Sequence, residues 1–67
     1  MANNIYKMIE LVGTSPKSIE DAVNNALATK AIKKTARWFQ VVETRGAIKD
    51  GQVAEWQVTL KVGVKED

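Results

Sequence analysis

The sequence contains neither cysteine nor histidine. Without thiolate or imidazole the usual zinc or iron site cannot be assembled, and no disulfide framework can brace a small fold. The same two absences remove the commonest covalent nucleophile and the commonest acid–base group. Lysines and carboxylates remain, but no spacing singles out a reacting pair. The chain therefore reads as a binding protein rather than an enzyme, with no catalytic residue and no metal ligand. No apolar run approaches the roughly 20 residues of a membrane span. Met1 to Asn4 lack the positive start of a signal peptide, so a soluble, cytoplasmic protein is expected. The net charge of +2 is too small for a nucleic-acid-binding arm. With one proline and four glycines, the chain has no linker, repeat or low-complexity tract, and residues 1–67 read as one domain.

A chain this short buries only roughly 60% of its unfolded surface. Lacking staples, it is expected to gain the missing burial from partner subunits as a homo-oligomer. Its order of elements is legible. Ile5 to Val12 is rich in strand formers and stops at Gly13. Ile5, Ile9 and Leu11 lie on one face, and Tyr6, Met8 and Val12 on the other, so both faces would be covered. A helix follows, capped either by Ser15 with Pro16 at its first position or by Ser18 with Asp21 approximating a capping box. Ile19, Ala22, Val23, Ala26 and Leu27 form its apolar stripe. The helix is expected to run about four turns, with Lys30, Lys33 and Lys34 near its end where the dipole favours them.

From Thr35 the period changes to two. Trp38 to Ile48 and Val53 to Val64 read as strands joined by an Asp50-Gly51 hairpin turn. Ala54, Trp56, Val58, Leu60, Val62 and Val64 share the core face of the last strand. The right-handed crossover rule makes the first two strands parallel. Inserting the last strand between them gives an α+β fold, a β-α-β-β protomer with a three-stranded antiparallel sheet of order 1-3-2 on one helix. The opposite face of the sheet has nothing in the chain to cover it.

A two-residue loop places Trp38 opposite Gly63 and Thr44 opposite Gln57. Trp38, Val42, Thr44 and Gln57 then face away from the helix, while Phe39 and Val41 face the core. Parity turns Glu43 and Arg45 inward, so either a bulge resets the register or that end of the hairpin projects beyond the helix. Trp38 lies about 20 Å along the sheet from the position opposite Gln57. A ligand could meet both only where different subunits contribute them. From these residues alone, packing in a protein–protein interface is the first reading of Trp38 and ligand stacking the second.

Tyr6-Lys7-Met8-Ile9-Glu10-Leu11-Val12-Gly13-Thr14-Ser15 resembles the first strand and turn of the dodecins. Ala36-Arg37-Trp38-Phe39-Gln40-Val41, Thr44-Arg45-Gly46, Glu55-Trp56-Gln57-Val58 and Val62-Gly63-Val64 extend the resemblance over nearly the whole chain. It implies a hollow homododecamer that stores flavin, with paired rings stacked between symmetry-related Trp38 side chains. It further implies that Gln57 meets the pyrimidine edge of the ring, and that Arg45 and Lys65 serve the phosphate of FMN. Some bacterial members carry arginine where Lys65 stands, which matters because only arginine offers a planar two-pronged contact. Glu43 matches an acidic position near the ribityl chain. FMN, or riboflavin and related flavins, is thus the implied cofactor. Some relatives also bind coenzyme A, to which no residue here is assigned.

Two readings compete with flavin storage. Trp38 with Arg37, Arg45 and Lys61 would suit base stacking and phosphate contact on single-stranded nucleic acid, although one aromatic is a thin platform. Trp38 could instead fill an interface of a purely structural assembly. The helix-end group of Lys30, Lys33, Lys34 and Arg37 reads as solvated surface.

Overall fold

The computed structural model describes residues 5–66; the expectation for Met1 to Asn4 falls outside them. Strand β1 (Tyr6–Ser15), helix α1 (Ile19–Leu27), strand β2 (Ala36–Lys49) and strand β3 (Gln52–Lys65) follow in the expected order. The strands form one antiparallel sheet, β1-β3-β2. The alternation on β3 drives this insertion. Val58, Leu60 and Val62 are fully buried against Ala22, Val23 and Ala26 of α1, each contributing about 1.5–3 kcal/mol. On β1, Leu11 and Ile9 pair with Leu60 and Val62 and join this layer. That settles the ambiguous parity of β1: Tyr6, Met8 and Val12 belong to the other face. Asp50 and Gly51 have φ of 54° and 76°, the positive pair of a type I′ hairpin turn.

Strand β1 does not stop at Gly13. A Cβ there would collide with the backbone oxygen of Ala22 and meet the Ala26 Cβ. The missing side chain lets α1 settle onto the strand, which continues to Ser15. Ser18 is the helix cap, its Oγ accepting from the Asp21 N–H at 3.0 Å. The rival, Ser15, is buried; its hydroxyl donates to Asp21 Oδ2 at 2.7 Å and accepts from the Lys17 N–H at 2.9 Å. Ser18→Ala is expected to lower the urea midpoint by the equivalent of about 1 kcal/mol with an unchanged slope.

The helix is shorter than its apolar stripe suggested, nine residues rather than about four turns. Thr29 Oγ1 donates back to the Ala26 carbonyl at 2.8 Å, a local bond that competes with continued helix. Successive turns then carry Ile32 into the core, through Ile32 N–H to Thr29 O and Ala36 N–H to Ile32 O. Lys30, Lys33 and Lys34 consequently lie past the helix, whose last turn holds no basic residue. The expected pairing with the dipole is corrected accordingly.

The described chain measures 56 × 19 × 14 Å, whereas α1 spans only about 14 Å. The helix lies over β1 and β3. Phe39 and Val41 do face the helix side, opposite Val62 and Leu60, but they remain 47% and 44% exposed. With Ile19, Val23 and Leu27 they line an apolar groove rather than completing the core.

Candidate functional site

The face away from α1 is assembled by register. Across it, Thr14 pairs with Gln57, Val12 with Thr59, Glu10 with Lys61, Met8 with Gly63 and Tyr6 with Lys65. From β2, Trp38 stands opposite Gly63 and Gln40 opposite Lys61. The register then shifts at Val42, the extra residue of a bulge, so Glu43 falls opposite Thr59 and Arg45 opposite Gln57. A further irregularity, at Ala54, restores the original register before the turn and leaves Ala54 exposed rather than on the core face expected for it. The expected pairing of Thr44 with Gln57 is thereby corrected. Thr44 pairs with Val58 on the helix side, and Glu43 and Arg45 come out onto the open face. The bulge resets the register and the hairpin also projects beyond the helix; the two sequence alternatives hold together.

Trp38 is seated on Gly63. A Cβ at Gly63 would run into Cε2, Cζ2 and Nε1 of the indole, so glycine is what lets the ring descend onto the sheet. Its outer side stays accessible, the residue being 43% exposed. Tyr6 approaches edge-on, with ring centroids 6.4 Å apart and planes at 61°. Lys65, half-buried, lies in the adjacent row beside Tyr6. Arg37 turns away: its Nη1 donates to the carbonyls of Lys34 and Ala36 at 2.9 and 3.4 Å. That takes it off the basic platform a nucleic-acid reading would need.

The remaining candidates gather elsewhere on the same face. Arg45 Nε donates to Gln57 Oε1 at 2.8 Å, and Gln57 Nε2 donates to Glu55 Oε2 at 2.9 Å. The carboxamide still has one N–H and one acceptor position to offer. Glu43 stands in the next row, toward Trp38. Glu55 carried no role in the sequence reading. Its only signal there was the two-residue spacing that puts it on the same face as Gln57.

The site residues thus form two groups, Trp38 with Lys65, and Gln57 with Arg45 and Glu43. Gly63, under the indole, is six residues along β3 from Gln57, about 20 Å; Lys65 is about 26 Å from it. One group offers an aromatic plate and an ammonium, the other a polarised amide and a guanidinium. A compact ligand touching both must lie between chains.

Chains of known identity share this fold. A family model described as Dodecin matches residues 5–67. The dodecin of Thermus thermophilus is 47% identical over 64 residues, spanning 91% of this chain and 90% of the relative. The dodecin structure from Streptomyces davaonensis superposes with a TM-score of 0.90 at 43% identity, covering 98% of both chains. That from Streptomyces coelicolor gives 0.90 at 45% identity, covering 100% of this chain and 97% of the other. With the 1-3-2 sheet, the single helix and the full-length match in agreement, the chain belongs to the dodecin family.

Proposed function

We propose that this protein binds and sequesters flavin, FMN or riboflavin, within a closed homo-oligomer, a dodecamer in keeping with its family, and does not chemically transform it. The observation that carries the reading is the Trp38 indole, seated on Gly63 with its outer side accessible on a sheet face that no element among the described residues covers. An isoalloxazine ring is flat and electron-poor, and indole is the most electron-rich side chain for stacking on it; such contacts add roughly 0.5–1.5 kcal/mol beyond area burial.

The residues present fit that group. Gln57, oriented by its two neighbours, keeps one donor and one acceptor for the alternating carbonyl and N–H groups of the pyrimidine edge. Arg45 and Lys65 supply cations for the phosphate of FMN, drawn from different chains because they are far apart on one. Glu43, on the open face, would accept from a ribityl hydroxyl. An indole in contact quenches the excited ring by donating an electron that then returns, which limits formation of reactive oxygen. Retention, orientation and quenching use no acid, base or nucleophile.

The test is a titration of ligand-free protein into dilute FMN and riboflavin, followed by flavin fluorescence. Saturable quenching near one flavin per subunit supports the reading. No quenching by assembled protein sinks it and leaves Trp38 as an interface residue. In the same assay Lys65→Ala is expected to weaken FMN roughly five- to tenfold and leave riboflavin unchanged, because only the phosphate contact is lost. Equal loss of both ligands would place Lys65 elsewhere.

A further inference from the structure

On an open sheet face a glutamine amide can turn end for end, exchanging its oxygen and its NH2 group. Gln57 is held against that exchange from both ends. The Arg45 guanidinium, which can only donate, lies 2.8 Å from Oε1, and the Glu55 carboxylate lies 2.9 Å from Nε2. A turned amide would set its oxygen against the carboxylate and its NH2 against the guanidinium, replacing two charge-assisted bonds by two repulsions. The same neighbours polarise the amide. A donor on the carbonyl makes the remaining N–H a better donor, and an anion on the NH2 makes the remaining lone pair a better acceptor.

From this geometry we propose that Glu55 is a positioning residue that, acting through Gln57, sets the order in which donor and acceptor are presented to the imide edge of the ligand. The assignment rests on the flavin reading. A ring fixed in its plane by indoles cannot slide to suit a reversed amide, so a reversed Gln57 would place oxygen against carbonyl oxygen. Glu55 needs no contact with the ligand to have this effect. It is also half-buried at the open face rather than part of the core, so its replacement by glutamine conserves shape and packing. Glutamine can donate as well as accept and no longer rejects the reversed orientation.

The experiment compares unaltered protein with Glu55→Gln, each shown to be assembled by sedimentation, using riboflavin, FMN and N3-methylriboflavin as probes. The N3-methyl compound lacks the imide N–H that Gln57 would accept. Glu55→Gln is expected to weaken riboflavin and FMN by the same factor, roughly five- to tenfold, the worth of one neutral hydrogen bond between amide and imide. N3-methylriboflavin, which never makes the bond to the Gln57 carbonyl, should lose much less, so the preference for the unmethylated ring narrows. Quenching at saturation should be unchanged, since Trp38 is intact. Unchanged riboflavin binding would overturn the proposal. So would equal weakening of all three probes, which marks a general structural effect. Failure of the unaltered protein to quench riboflavin overturns the flavin reading itself, and this assignment with it.

Discussion

Trp38→Ala is expected to abolish measurable flavin quenching, raising Kd at least about a hundredfold, or roughly 2.7 kcal/mol, while subunits still assemble. The indole touches the sheet through Gly63 and the Tyr6 edge and is otherwise 43% exposed. It is absent from the cluster of Val58, Leu60, Val62 and the α1 alanines that holds the fold. Removing it therefore costs the protomer little. A stacked ligand, by contrast, loses its aromatic plate, the dispersion contacts of that plate and the electron donor that darkens it. Fluorescence titration gives the first quantity and sedimentation velocity the second. Loss of assembly with loss of binding would recast Trp38 as a structural interface residue.

Gly13→Ala is expected to have the largest effect on stability, roughly 3 kcal/mol, at the upper end of the range for overpacking. Its added Cβ would meet backbone oxygen of Ala22, which cannot rotate aside, as well as the Ala26 Cβ. Relief requires α1 to lift from β1, which opens the layer where Ala22 and Ala26 are buried. Far-UV circular dichroism in urea should show an earlier midpoint. A midpoint within the equivalent of about 0.5 kcal/mol of the unaltered protein would mean the helix can ride higher on the sheet without penalty.

These two glycines show where local sequence stops informing. Gly13 marked the end of a strand by composition, yet its role depends on Ala22 of the helix, nine residues further on. Gly63 was placed opposite Trp38 by hairpin parity, but that the indole descends onto it, where a Cβ would collide, depends on a rotamer that local sequence does not encode. The features that were legible rest on short-range rules: alternation along Val58, Leu60, Val62 and Val64, the apolar stripe from Ile19 to Leu27, and the Asp50-Gly51 turn. Strand order followed from these, because only one insertion buries the last strand's apolar face under the helix. A bulge near Glu43 and Arg45 was one of two ways to spare them burial, the other being a hairpin end that projects beyond the helix; the structure puts the bulge at Val42. Sequence could not choose between them, because Val42 is as good a strand residue in either register. Helix length failed for a similar reason. Lys30 to Lys34 suit a last helical turn, but Thr29 bonding back to Ala26 and the pull of Ile32 into the core end the helix first.

The separation of Trp38 from Gln57 along a single sheet has a consequence for mass action. On the proposed reading, each protomer carries two unlike halves of a pocket and no whole one. Whatever bridges the halves binds the associated chains and not the lone chain, so ligand uptake and subunit association are one linked equilibrium. Free ligand then draws chains together as surely as chains draw in ligand, and dilution of either loosens both.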